Sequence, residues 1–144
     1  MIYLDTSCLL KLLLEEPESE AVRLEVAREV DVIVSQLTEL EAGVQLRAGR
    51  RSGAYGETRY RAYVDRLNAF RETDPFRFRP LPGSVFSTAL RQDRAGRRLH
   101  CRTLDRLHLS AMEELGLRRL MTNDVAEAAG AAALGFEVVR PGHP

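Results

Sequence analysis

The chain has no tryptophan, a single lysine (Lys11) and two cysteines, Cys8 and Cys101. Two cysteines without paired ligand spacing exclude a zinc ribbon and a disulfide-stapled scaffold, so both read as small buried hydrophobes. A zinc site built from His100, Cys101, His108 and Cys8 would need distant parts of the chain to meet. Net charge is also missing: 21 basic residues balance 21 acidic ones, and no global field draws the chain to a polyanion. No apolar run approaches the ~18 residues of a membrane span. No basic stretch leads into a cleavable apolar segment at the N-terminus. These absences point to the cytoplasm and away from a membrane. What is present is a 144-residue chain, 44% apolar and 29% charged, which is enough for one domain, 1–144, with a core of its own.

The apolar pattern alternates between strands and helices. MIYL is a gapless apolar run, as expected of a parallel strand covered on both faces. SCLLKLLL after it has helical spacing, and Pro17 forces a break at Glu15–Glu16. Ser19 is expected to cap a second helix with Val22, Val26 and Val30 inward. VIVS (32–35) is a second buried strand. Leu37, Leu40, Val44 and Ala48 form the expected inward stripe of the helix that follows. Ser52 and Gly53 break it, and a helix over 55–71 completes an αα-hairpin, with Tyr60, Tyr63, Val64, Leu67 and Phe70 as its stripe. FRF gives a short third strand. Two helices follow: one ends near Gly96, the other runs from a cap at Thr103 to Gly116 with Leu104, Leu107, Met112 and Leu115 inward. RLM, the segment DVAEAAGAAALG and FEVV supply strand, helix and strand. Strands separated by helices imply an α/β fold with a parallel sheet and right-handed crossovers.

In such sheets ligands bind at the carboxyl ends of the strands. Asp5 ends strand one and Asp124 follows strand four, so both belong to one rim if those strands are neighbours. Glu41 lies six residues past Ser35, and Asp105 stands near the start of its helix. Carboxylates forced together repel unless a cation intervenes. An oxygen-only set of this charge suits Mg²⁺ or Mn²⁺, and such a site can activate water and neutralise a phosphodiester. Each acid also has a plainer reading. Asp5 and Asp124 could cap helices, Asp105 could complement a helix dipole, and Glu41 could be solvated like Glu39. Spacing does not choose between Glu39 and Glu41.

The basic residues are almost all arginine and are clustered. One group spans Arg47, Arg50, Arg51, Arg59, Arg61, Arg66 and Arg71; the other is Arg91, Arg94, Arg97, Arg98 and Arg102. Such stretches could contact phosphate, or could simply solvate helix faces. Other rim chemistries fit poorly. A haloacid-dehalogenase-type phosphatase needs an aspartate where Ser7 stands. A phosphoreceiver needs adjacent acids and a late lysine. A serine hydrolase needs a GxSxG elbow, which is absent.

YLDTSCLLKLLLEEPES, VSQLTELEAG, RTLDRLHLSAM and MTNDVAEAAGAAALGFEVV, in that order, resemble the successive motifs of PIN-domain ribonucleases, and more narrowly of VapC-type toxins of toxin–antitoxin pairs. The resemblance runs nearly end to end. It implies a PIN-like three-layer sandwich with about five parallel strands. It matches Asp5, Glu41, Asp105 and Asp124 to the family's four metal-binding, catalytic acids. Glu41 is preferred to Glu39 because the family pattern places the acid three residues past the threonine, here Thr38. Thr6, Ser7 and Thr122 match supporting polar residues, and nothing is assigned to Asn123. His108 would orient the Asp105 carboxylate, touch substrate, or pack with one nitrogen satisfied. Arg47, Arg50, Arg51 and Arg102 are candidate RNA contacts. The implied function is a Mg²⁺-dependent (or Mn²⁺-dependent) endoribonuclease that hydrolyses RNA with a metal-activated water, leaving 5′-phosphate and 3′-hydroxyl ends. The implied partners are an RNA substrate, a VapB-like antitoxin and a second copy of the chain, with DNA reached only through the antitoxin. The rival is a PIN-like protein that binds RNA or antitoxin and cleaves little.

Overall fold

A computed structural model describes residues 1–95 and 101–143; Gly96, Arg97, Arg98 and His100 lie outside the described residues. The elements are β1 (Ile2–Leu4), α1 (Thr6–Leu13), α2 (Ser19–Val26), β2 (Val32–Ser35), α3 (Gln36–Arg51), α4 (Glu57–Ala69), a short 3₁₀ turn (Phe70–Glu72), β3 (Phe76–Arg79), α5 (Val85–Ala95), α6 (Thr103–Glu114), β4 (Arg119–Met121), α7 (Val125–Ala133) and β5 (Glu137–Val139). The five strands pair in parallel in the order β3-β2-β1-β4-β5. The chain reverses its direction of growth across the sheet after β3, so β1 lies between β2 and β4. That reversal puts the carboxyl ends of β1, β2 and β4 side by side, where a cleft opens.

Period-2 alternation splits the core into two layers. Ile2, Leu4, Val32 and Val34 face α1 to α4 and pack with Leu9, Leu13 and Leu46. Tyr3 and Ile33 face the other way, against Leu109, Met112 and Ala131 of α6 and α7. Both faces of β1 and β2 are covered, which is why those strands are almost wholly apolar, whereas the edge strands β3 and β5 carry Arg77, Arg79 and Glu137. The fold is the α/β three-layer sandwich expected. Among the described residues no helix is long and apolar enough to cross a membrane.

Four details differ from the sequence reading. Glu18, in the left-handed region at φ 65°, precedes α2; Ser19 is its first residue, and the Ser19 hydroxyl donates back to the Leu14 carbonyl rather than capping. Val30 is exposed because α2 ends at Val26. Arg102, not Thr103, precedes α6, and Leu104 is exposed beside it. The largest difference is α3. Its inward stripe is Thr38, Ala42 and Leu46, while Leu40 and Val44 are 64% and 58% exposed and Ala48 is exposed as well. The Ser35 side chain accepts from the Thr38 amide, and the Thr38 hydroxyl donates to the Leu4 carbonyl. Those two bonds fix the rotation of α3 about its axis, so the bulkier apolar face turns to the cleft instead of the core.

The hairpin depends on one close approach. Tyr55 lies over Gly49 and donates to the Leu46 carbonyl at 2.7 Å; a Cβ at residue 49 would sit 2.4 Å from the Tyr55 oxygen. Gly116, at φ +69°, ends α6 as expected.

Candidate functional site

The cleft at the strand ends has a volume of about 630 Å³ and carries Asp5, Glu41, Asp105 and Asp124, all four acids singled out from the sequence. It carries a fifth as well, Glu127. The plainer readings of Asp5 and Asp124 are also correct, because a carboxylate has two oxygens. Asp5 caps α1 by accepting from the Ser7 amide at 3.1 Å. Asp124 caps α7 by accepting from the Ala126 and Glu127 amides at 2.8 and 3.0 Å. In each case the second oxygen is left for a partner across the cleft: His108 stands 3.7 Å from Asp5 Oδ1, and Arg102 stands 2.5 Å from Asp124 Oδ2.

The acids form two groups. In the first, Glu41 Oε2 accepts from the Thr6 hydroxyl at 2.7 Å and lies 2.5 Å from His108 Nε2. Burial raises the Glu41 pKa, but the bonds from His108 and Thr6 outweigh it and hold the carboxyl below its ordinary value. Thr122 joins Asp5 to Glu127: its hydroxyl lies 2.9 Å from Asp5 Oδ2 and 3.0 Å from Glu127 Oε2. That oxygen also accepts the Asp124 amide at 3.0 Å. A hydroxyl has one proton to donate, so it serves one of the two carboxyls, and the other holds its place best when it carries a proton of its own. Glu127 is that group. Burial and the nearby Asp5 charge push it up to about 10, and it is 1% exposed. Its Oε1 is buried without a hydrogen-bond partner.

In the second group Arg102 bridges Asp105 and Asp124. Its Nε and Nη2 meet the two Asp105 oxygens at 2.8 and 3.1 Å, and Nη2 also reaches Asp124. The Arg102 pKa is raised by both carboxylates, and Asp124 is lowered because the α7 amides and Arg102 overcome its burial. Arg102, expected as an RNA contact, is therefore engaged by the acids, though 58% of its side chain stays exposed. Arg47, Arg50 and Arg51 are exposed along α3, and Arg50 pairs with Glu57 and lies over the Tyr60 ring.

Thr6 and Thr122 support the acids through their hydroxyls, and Ser7 does so through its amide to Asp5 and its hydroxyl to the Asn123 amide. His108 does not orient Asp105; it bonds Glu41 through Nε2 and Tyr3 through Nδ1, so both nitrogens are used. The reason is its place on α6: three residues past Asp105 the ring turns under the helix toward β1 and α3. Burial pushes the Cys8 thiol up to about 12, so it is no nucleophile. Cys8 and Cys101 are both buried and free. Glu127 was missed from the sequence. The available signal was an acid alone in an otherwise uncharged helix, VAEAAGAAA.

Residues 2–129 match the PIN domain family model. The chain belongs to the PIN-domain family. Ribonuclease VapC46 of Mycobacterium tuberculosis is 31% identical over 142 residues, covering 97% of each chain. Among solved structures, VapC20 of Mycobacterium tuberculosis, a sarcin–ricin loop cleaving toxin, superposes with a TM-score of 0.72 at 21% identity, covering 98% of this chain and 100% of that one. VapBC2 from Rickettsia felis, bound to a DNA fragment from its promoter, gives a TM-score of 0.67 at 14% identity over 96% and 98% of the two chains. These structures establish the same fold.

The residues suit a divalent cation. The Asp5 and Glu127 carboxylates come within 4.8 Å of each other beside His108, whose nitrogens are taken by Tyr3 and Glu41, and the orphaned Glu127 oxygen is a buried acceptor that a cation would satisfy.

Proposed function

We propose that the protein is a VapC-like endoribonuclease toxin of the cytoplasm, dependent on Mg²⁺ or Mn²⁺, dimeric, and silenced by a VapB-like antitoxin that alone contacts DNA. The observation that carries this reading is the convergence of Asp5, Glu41, Asp105, Asp124 and Glu127 on one cleft of a PIN fold. The relatives named ribonucleases support the chemistry, and the VapBC2 structure supports an antitoxin partner.

Asp5, Glu41, Asp105 and Asp124 would hold the cation, with Glu127 beside Asp5. A divalent ion bound there supplies charge neutralisation for the phosphodiester and activates the attacking water. The chain's own residues do the rest. Thr6, Thr122 and the Ser7 amide fix the carboxylates, and His108 fixes Glu41. Arg102 balances Asp105 and Asp124 and, being half exposed, can also reach a phosphate at the mouth. Leu40 and Val44 form an apolar wall of the cleft, suited to a base or to an antitoxin side chain. The whole chain acts as one domain.

A pool of RNAs incubated with the protein and Mg²⁺ tests the reading. Wild type is expected to cut, and Asp5→Asn to lose at least about 100-fold of that activity, the upper end of what supporting residues alone contribute at metal sites. Chelation is expected to abolish cutting. Binding without cutting by both proteins would make the chain an RNA- or antitoxin-binding protein instead.

A further inference from the structure

Behind the cleft runs a buried polar chain that starts at the central strand. Tyr3 on β1 places its hydroxyl 2.7 Å from His108 Nδ1 and 2.6 Å from the Ser35 hydroxyl at the end of β2. The His108 ring is 2% exposed and meets the Tyr3 ring edge-on, 5.7 Å between centroids. Its other nitrogen, Nε2, is the one 2.5 Å from Glu41 Oε2.

The Glu41 end gives this chain its direction: a carboxylate only accepts, so His108 Nε2 must donate to it. The Thr38 hydroxyl donates to the Leu4 carbonyl at 3.2 Å, with Tyr3 further off at 3.4 Å. The Ser35 oxygen accepts the Thr38 amide at 3.2 Å and has two neighbours for its own proton, the Tyr3 oxygen at 2.6 Å and the Thr38 hydroxyl at 3.1 Å. Tyr3 then spends its own proton on His108 Nδ1. Nδ1 is thereby an acceptor, and the ring's N–H stands on Nε2, where the Glu41 carboxylate needs a donor. The Thr6 hydroxyl donates to the same Glu41 oxygen. Two donors on Oε2, one from α1 and one from α6, leave the carboxylate a single orientation. Among the described residues Glu41 Oε1 accepts no hydrogen bond.

We propose that His108 is the positioning residue of the acidic cleft: locked by Tyr3 on Nδ1, it donates from Nε2 to Glu41 and so reserves Glu41 Oε1 for a divalent cation. This rests on the metal-site reading above. A ligand whose partner is fixed by such an outer contact binds its ion in one geometry without reorganising.

Two measurements on the full chain test it. Imidazole ¹H–¹⁵N correlation spectra of the metal-free protein report which His108 nitrogen bears the hydrogen. It is expected on Nε2, and Tyr3→Phe, which keeps the ring packing, is expected to shift the His108 Nδ1 resonance as that nitrogen loses its donor. Mn²⁺ titration followed by electron paramagnetic resonance reads the positioning itself. His108→Leu is expected to weaken Mn²⁺ binding about 10–100-fold, and His108→Gln, whose amide can replace the Nε2 donor, to recover most of it. Tyr3→Phe is expected to weaken binding by several-fold, with thermal melts confirming that each variant is folded. A hydrogen on Nδ1 in wild type, or wild-type Mn²⁺ affinity in both His108→Leu and Tyr3→Phe, overturns the proposal. If the Mn²⁺ series holds while wild type cuts no RNA, the nuclease reading falls and the positioning role stands. If wild type itself binds no Mn²⁺, the metal reading falls and takes this role with it.

Discussion

At the scale of single residues, Glu127 is the most consequential group in the cleft after the four aspartate and glutamate side chains expected there. Its pKa lies above that of an unfolded glutamate, from 4.5 to about 10. Between those values the folded chain holds a proton that the unfolded chain has released. Stability therefore falls with rising pH, by up to about 1.4 kcal/mol per unit from this group. Glu127→Gln mimics the protonated form and removes the dependence. Urea denaturation in chelator at pH 5.5, 7 and 8.5 is expected to give a shallower loss of stability for the variant, and parallel profiles would contradict the assignment. Arg102 makes a complementary case. It neutralises the same two carboxylates that a cation would use, so Arg102→Ala is expected to raise Mn²⁺ affinity. Its stability cost is expected to stay within about 1 kcal/mol, because the guanidinium is more than half exposed. Weaker Mn²⁺ binding in that variant would mean the arginine supports the ion rather than competing with it.

At the scale of elements, α3 is where sequence periodicity misled and capping corrected it. Leu37, Leu40 and Val44 make as good an apolar stripe as Thr38, Ala42 and Leu46, so the pattern alone has two solutions. The choice is made by polar contacts at the helix start, from Thr38 to Ser35 and to the Leu4 carbonyl. The consequence is measurable. Leu46→Ala is expected to cost about 2–5 kcal/mol in chemical denaturation, because Leu46 is fully buried. Val44→Ala is expected to change stability by no more than about 0.5 kcal/mol, because Val44 faces the cleft. Equal losses would return α3 to the orientation first expected. The same rotation puts Glu41 rather than Glu39 beside His108; Glu39 pairs instead with Arg71 on the far side of the hairpin.

For the whole molecule, zero net charge means that any grip on RNA must be local. The exposed arginines of α3, Arg47, Arg50 and Arg51, are one dense supply. If they contact phosphates, replacing Arg47, Arg50 and Arg51 together with alanine is expected to weaken RNA binding. It should also reduce the slope of log affinity against log salt by about 2, near 0.7 per lost contact on a single strand. Filter binding over a salt series checks this, and an unchanged slope would free α3 of that role. Arg119 makes a different use of charge: its Nη1 holds both oxygens of Glu29 at 2.7 and 2.9 Å and ties the loop before β2 to β4. That contact braces the two strands flanking β1, whose ends define the cleft.

The sequence by itself determined the order of strands and helices, the parallel sheet and four of the five cleft acids. The elements and the sheet follow from local physics, in gapless apolar runs and in prolines and glycines at breaks; Asp5 and Asp124 stand directly after strands, while the choice of Glu41 over Glu39 and the role of Asp105 came from the family resemblance. What only the tertiary structure decided depends on which groups meet across the chain. Asp5 and Glu127 come together through Thr122, and His108 turns to Glu41 and Tyr3 because β1 lies between β2 and β4. Arg102 reaches Asp124 because α6 and α7 start beside each other. Periodicity along one chain reports which face of an element is apolar. It carries no information on which of two such faces the sheet will cover, or on which distant hydroxyl will share its proton with a buried acid.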